Sequence, residues 1–332
     1  MRRGPMCCFG VLCAAGAAVS ARADLTVVAQ FNTTASVGLA FDHSTGEVWS
    51  YPDAGAVIRR YSAAGVLLGS VPRPGEAAND ADVEVTDGPL TLAGVLLPDA
   101  TLLFINGESG TADIYAIDKQ SGAVVATLVT AFGASHVVGG AHHRQRGTIF
   151  LIQDAVPAGT SNDNLVAEIN PATGAVIQSW YTTVALPGFT VDFGDIEVAG
   201  NGNLLIVSSD ETSVGEFTPT GTFVALRALP AGVSSLCGIG VDRAACEWWV
   251  IETNGQVARL GGLSGEAVCG SCYPNCDGST GTPLLTANDF QCFLNKFAAG
   301  ATYANCDGST GTPSLTANDF QCFLNKFAAG CS

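Results

Sequence analysis

VIRRYSAAGVLLGSV (residues 57–71), IYAIDKQSGAVVATL (114–128), VAEINPATGAVIQSW (166–180) and VGEFTPTGTFVALRAL (214–229) share one form: an apolar strand, a turn of small or polar residues ending in glycine, and a second apolar strand. This is the signature of a tight β-hairpin. Ahead of these hairpins lies a second recurrence: GLAFDHSTGEVWS from Gly38, GAHHRQRGTIFL from Gly140 and GIGVDRAACEWWVI from Gly238. Reading the middle segment from Gly139 places Asp42, His143 and Asp242 in one column, where a polar residue closes the turn at the strand end. Two strands before each two-strand hairpin make a four-stranded antiparallel unit of about 40 to 50 residues.

Five such units begin near Ser36, Asp82, Ser135, Val191 and Ser235, and the last stops after three strands, at Gln256 to Gly261. A further strand, Leu25 to Phe31, precedes the first unit and would complete the last sheet, closing a ring that leaves no open edge. The expected fold is mainly β, a five-bladed β-propeller over residues 24–263. Six blades are the alternative if the long segment 82–129 hides an extra hairpin. A two-sheet sandwich would not explain a repeat with this internal order.

Aligning the first strand of each unit puts Ala40, Glu84, Ala141, Glu197 and Gly240 in one column, with Gly38, Asp82, Gly139, Asp195 and Gly238 two residues earlier. Two blades therefore carry Asp-x-Glu where three carry glycine or alanine. First strands line the channel, so Asp82, Glu84, Asp195 and Glu197 are the candidate catalytic residues, converging to hold a cation or share protons. The plainer reading is that the aspartates bond neighbouring backbone while the glutamates meet solvent or arginine. Over a few residues per blade these strands resemble the Asp-x-Glu strands of phytase-like esterase and SdiA-regulated propellers.

His142 and His143 are adjacent on a strand and point to opposite faces, so they cannot both ligate one metal well. No G-x-S-x-G elbow, P-loop or dinucleotide fingerprint is present, and no helix follows the glycine-rich turns to cradle phosphate. Cys237 and Cys246 flank one hairpin and are expected to form a local disulfide. Trp248 and Trp249 put one ring on each face of their strand.

After a short linker, residues 264–271, the unit CDGSTGTPLLTANDFQCFLNKFAAG (276–300) recurs as CDGSTGTPSLTANDFQCFLNKFAAG (306–330), differing only at Leu284 against Ser314. In each copy an oxygen-rich loop feeds a short helix. Thr286 to Asp289 has the form of a capping box, and Phe290, Phe293, Leu294 and Phe297 form one apolar stripe. Neither helix can hide its phenylalanines alone, so the two stripes are expected to pack on each other.

This tandem resembles a dockerin domain, in the variant of secreted planctomycete-type proteins that ends in Gly-Cys, here Gly330-Cys331. The resemblance covers residues 272–332 and implies an α-helical, EF-hand-like module. Calcium would be held by Asp277, Ser279, Thr286 and Asp289 in the first loop and by Asp307, Ser309, Thr316 and Asp319 in the second. It also implies a cohesin-like protein or surface scaffold as partner. The loops depart from the EF-hand pattern: each is one residue longer than twelve, and Gly281-Thr282 stands where Asp-Gly is usual. Two carboxylates per loop imply modest calcium affinity. A disulfide-stapled helical pair without an ion is the alternative.

Of twelve cysteines, nine lie beyond residue 23 and seven of those fall between Cys269 and Cys331. Cys276 with Cys292 and Cys306 with Cys322 are the simplest pairings, leaving Cys331 to close on Cys272 or Cys269. Such density belongs in an oxidising compartment. The N-terminus agrees, because a basic Met1-Arg2-Arg3, an apolar run and Ala21-Arg22-Ala23 read as a signal peptide over residues 1–23. The expected localisation is secreted or cell surface.

Net charge is −16, and −19 once Arg2, Arg3 and Arg22 are removed, so nucleic acid and anionic membranes are excluded as partners. Two functions fit. One is a non-catalytic propeller that binds a ligand or partner and is anchored through its tail, and the other is a propeller hydrolase acting on lactones, phosphoesters or glycans and displayed by the same tail. The first fits better, since a propeller does not imply catalysis.

Overall fold

The computed structural model describes residues 25–154, 163–263, 274–277, 285–306, 312–313 and 315–329. The expected signal peptide and linker, Ser279, Asp307, Ser309 and the terminal Gly-Cys lie outside these residues. Among the described residues no helix is long and apolar enough to cross a membrane.

Strand β1 (Thr26–Asn32) is followed by five blades. Blade 1 is β2 (Ser36–Asp42), β3 (Glu47–Pro52), β4 (Val57–Ser62) and β5 (Leu67–Pro72). Blade 2 is β6 (Ala81–Val85), β9 (Leu102–Asn106), β10 (Asp113–Ile117) and β11 (Val124–Val129), with a separate hairpin of β7 (Leu90–Leu92) and β8 (Val95–Leu97) inserted after its first strand. Blade 3 is β12 (Val137–His143), β13 (Thr148–Gln153), β14 (Leu165–Ile169) and β15 (Val176–Tyr181). Blade 4 is β16 (Asp195–Val198), β17 (Leu204–Val207), β18 (Ser213–Phe217) and β19 (Phe223–Ala228). Blade 5 is β20 (Leu236–Asp242), β21 (Glu247–Glu252) and β22 (Gln256–Gly261), and β1 joins it antiparallel as the fourth strand. The segment 82–129 does hide a hairpin, but its two strands pair only with each other, so the ring has five blades rather than six.

The hairpin turns repeat at atomic level. Ser62, Asp118, Asn170 and Thr218 each use a side-chain oxygen to accept backbone N–H groups of their own turn. The following Gly65, Gly122, Gly174 and Gly221 all have positive φ, between 72° and 83°, which an L side chain adopts only under strain. In the column of Asp42 and Asp242 the same device closes the first hairpin: each carboxylate accepts an N–H two residues on. His143 departs from it, sending its ring to the Gly202 carbonyl at 3.0 Å.

The first strands contact one another all the way round, β2 with β6, β6 with β12, β12 with β16, β16 with β20 and β20 with β2. Side-chain alternation then sends successive residues of a blade to opposite neighbours. Phe104 packs with Trp49 and Tyr51 of blade 1, whereas Leu103 and Ile105 pack with Ile149 and Leu151 of blade 3. Trp248 and Trp249 follow the same logic: one faces Leu205 and Val207 of blade 4, the other stacks on Phe41 of blade 1 at 5.8 Å. Both rings are therefore inter-blade core.

Cys237 and Cys246 do not pair. Cys237 is a free, buried thiol donating to the Ser36 carbonyl, while Cys246 is disulfide-bonded elsewhere. The reason is geometric. Cys237 sits near the start of β20 and Cys246 in the turn beyond its end, and at about 3.3 Å per residue the strand holds them well outside the roughly 7 Å that a disulfide spans.

In the tail, helices Ala287–Ala298 and Ala317–Ala329 pack through their phenylalanine stripes, with Phe293 and Phe323 fully buried and stacked at 4.1 Å. Disulfides Cys276–Cys292 and Cys306–Cys322 tie each loop start to its helix.

Candidate functional site at the channel mouth

Asp80, just before β6, and Asp82 and Glu84 within it occupy alternate positions and so share the side facing the axis. The five first strands run the same way along the channel, which gives the axis a layered chemistry.

In the middle layers the four Asp-x-Glu carboxylates meet the next blade. Asp82 accepts from Gly140 N at 3.0 Å and Glu84 from His142 N at 3.1 Å, both in blade 3. Asp195 accepts from Ile239 N at 2.8 Å, and Glu197 bonds the Val241 N–H, both in blade 5. The glycine column exists to admit them: a Cβ at Gly38 would lie 2.5 Å from Asp82 Oδ1, and one at Gly139 the same distance from Asp195 Oδ1. Asp82 Oδ1 is buried without a hydrogen-bond partner, and Asp195 is the acidic group that interacts with Asp82 across the axis.

Burial raises all four carboxyls; for Asp82, Glu84 and Asp195, repulsion within the group adds to it and holds them well above the usual carboxylate range. Glu197 is raised to about 7, chiefly by burial, against the pull of Arg243. Among the described residues, no three of these four bring ligand atoms within 4.8 Å of one another, as a metal cage would require. As candidate catalytic residues they were expected to converge on a cation or on shared protons. They lie inside the channel and brace one blade against the next, and the glutamates too bond backbone.

His142 and His143 are both buried and share no ligand. Burial lowers His142 to about 4, keeping it neutral, and His143 is lowered for the same reason. At the mouth where the first strands end, Asp87 bridges Arg243 at 2.7 Å and Arg144 at 3.8 Å, and exposed His43 meets Asp99 at 3.2 Å. Cations satisfy this end.

The opposite mouth is different. Asp80 precedes β6, His136 precedes β12, and Asp154 follows β13. His136 Nδ1 lies 2.9 Å from Asp80 Oδ2 and 3.7 Å from Asp154 Oδ1. Asp154 is 2% exposed and Asp80 6%, whereas His136 opens to solvent. Burial, then Asp80, pushes Asp154 up to about 8; burial raises Asp80 to about 6, with His136 opposing and Glu108 reinforcing. Ser135 and His136 have φ of 75° and 61°, and Phe193 beside Asp154 has φ of 43°. Hydrogen bonds hold this strained turn, from Gln153 Nε2 to Ser135 O at 2.6 Å and from Asp154 N to His136 O at 3.1 Å.

Sequence reasoning assigned no role to His136, Asp80 or Asp154. The available signal was positional: in a propeller, residues just before the first strand and just after the second converge on one mouth.

In the tail, Asp289 is fully buried, and its carboxylate accepts from Thr286 N at 2.8 Å and from Asp277 N at 3.2 Å. Asp319 repeats the first of these bonds with Thr316 N, at 2.7 Å.

No protein-family model matches the chain, and no curated protein matches it. Solved structures that resemble it include one described as streptogramin B lyase, 15% identical, covering 68% of this chain and 64% of that one at a TM-score of 0.41. Virginiamycin B lyase from Staphylococcus aureus is 11% identical, with 71% and 99% covered and a TM-score of 0.44. A structural genomics protein of unknown function from Bacteroides thetaiotaomicron is 11% identical, with 72% of each chain covered and a TM-score of 0.44. At these identities and TM-scores they say nothing of what this chain does.

Proposed function

We propose that the protein is a secreted propeller that binds a ligand or partner without transforming it. Its tail is a calcium-binding, dockerin-like module that attaches it to a cohesin-like receptor or surface scaffold. The observation that carries the non-catalytic half is the bonding of the Asp-x-Glu strands: all four carboxylates accept a backbone N–H of the next blade. Groups fixed in this way in a packed axis are poorly placed to meet a substrate.

For the anchoring half, the support is the resemblance of the tandem together with Asp289, whose carboxylate draws Asp277 and Thr286 together from the two ends of one loop. With Asp319 bonding Thr316 N in the second loop, five of the proposed ligands, Asp277, Thr286, Asp289, Thr316 and Asp319, gather at a buried carboxylate. A hydrolase remains the second reading because of one observation, the acidic mouth where Asp154 is raised to about 8 beside His136. It would work there, not in the strands.

The test is capture of the full chain on immobilised cohesin modules, with calcium and with chelator, beside a screen of ester, lactone, phosphoester and glycan substrates. Capture is expected only with calcium, to be lost in the double variant Asp289→Ala, Asp319→Ala, and no turnover is expected. Calcium-independent capture would refute the role given to the tail. Turnover abolished by Asp154→Asn would refute the binding-module reading.

A further inference from the structure

We infer that Asp80, His136 and Asp154 form a site for one zinc-like divalent cation at the channel mouth, independent of the calcium proposed for the tail. The first observation is ligand geometry. One imidazole nitrogen and two carboxylate oxygens from three separate segments lie within 4.8 Å of one another. The separations of 2.9 and 3.7 Å bracket the edge of a tetrahedral zinc site, about 3.4 Å for metal–ligand bonds near 2.1 Å.

The second is an orphaned atom. Asp154 is 2% exposed and its Oδ1 accepts no hydrogen bond, although it points at His136. A buried carboxylate oxygen without a partner is costly, and a cation is the partner that this position fits. The third is charge. Two buried carboxylates share one imidazole, and Glu108, Asp53 and Asp192 are close enough to add negative potential, so a divalent ion would be drawn in and neutralised.

The donor set chooses the ion. An imidazole favours zinc and its first-row neighbours, whereas calcium takes six to eight oxygens and magnesium an octahedron of them. Three protein ligands, with His136 on the solvent side, leave a fourth position for water or for an oxygen of a ligand. The left-handed backbone of Ser135 and His136, pinned by Gln153 and Asp154, holds the ring in place before metal arrives.

The experiment is metal analysis and zinc titration of the full chain, first stripped with chelator and then dialysed. Wild type should retain one zinc that excess calcium does not displace, and zinc should raise its melting temperature. His136→Asn keeps a side chain tolerant of positive φ, and Asp154→Asn is isosteric; each should weaken zinc by more than about 100-fold. His43→Gln should bind zinc as wild type does. Zinc retained at full stoichiometry in His136→Asn and Asp154→Asn, or a wild-type chain that binds none, would overturn the assignment.

Discussion

Deleting Leu25–Asn32 is expected to lower the melting temperature of the propeller by roughly 10–20 °C. Strand β1 pairs with β22 from Thr26↔Gly261 to Asn32↔Gln256, and its loss leaves an unpaired edge on blade 5. It also removes side chains that hold blade 5 to blade 1. Leu25 is buried with the blade 4 and 5 core, and Phe31 lies against Gly65, within reach of Tyr61 at 6.1 Å and Trp249 at 6.3 Å. Burial of Leu25 accounts for about 1.5–3 kcal/mol, partly buried Phe31 adds less, and the ladder adds to both. At about 2–4 °C per kcal/mol for a domain of this size, a loss near 5 kcal/mol gives the expected shift. Calorimetry of the truncated chain checks it. An unchanged transition would show β1 to be peripheral.

Phe293→Ala should unfold the tail while leaving the propeller transition in place. The tail core consists of few side chains, and Phe293 and Phe323 are the two phenylalanines in it that are fully buried. Truncating a buried phenylalanine costs about 3–5 kcal/mol, a large share of what so small a module can hold. The disulfides Cys276–Cys292 and Cys306–Cys322 stay closed and restrain the loops, so the loss should appear as helix signal. Far-ultraviolet circular dichroism is the measurement. Phe297→Ala, at a partly buried position, should cost much less, and equal losses at the two sites would contradict the packing described.

Much of the ring was legible because its signals are local. A capping Ser62, Asp118, Asn170 or Thr218 followed by a positive-φ glycine declares the hairpin from within a few residues. The count of five and the closing strand follow from repeating it. The column of Asp82, Glu84, Asp195 and Glu197 was legible too, since alternation fixes the facing of a strand. Their depth and partners were not, because these depend on which backbone the next blade presents. Asp80, His136 and Asp154 escaped for a similar reason: they are far apart in the chain and meet only when blades 2 and 3 are set side by side. Cys237 and Cys246 were read as flanking one hairpin, but Cys246 lies in its turn, and the strand length between the two thiols keeps them apart.

The account rests on the channel carboxylates being protonated braces, and the pH dependence of stability tests that most directly. Asp82, Glu84 and Asp195 are held well above the carboxylate range, and Glu197 is near 7. The folded chain therefore keeps protons that the unfolded chain has released, so the stability these groups contribute is full at low pH and is lost as pH rises through their folded values. His142 works the other way, but only below its unfolded value of 6.5, and Asp80 and Asp154 at the mouth, raised to about 6 and about 8, add to the fall, so the Asp195→Asn comparison carries the channel's share. In chelator, the propeller melting temperature should fall as pH is raised through about 7. Asp195→Asn carries an amide that can accept from Ile239 N and donate to Asp82, so it should fold and show a shallower fall. A melting temperature that rises or stays level through that interval, or an Asp195→Asn chain that does not fold, would contradict the account.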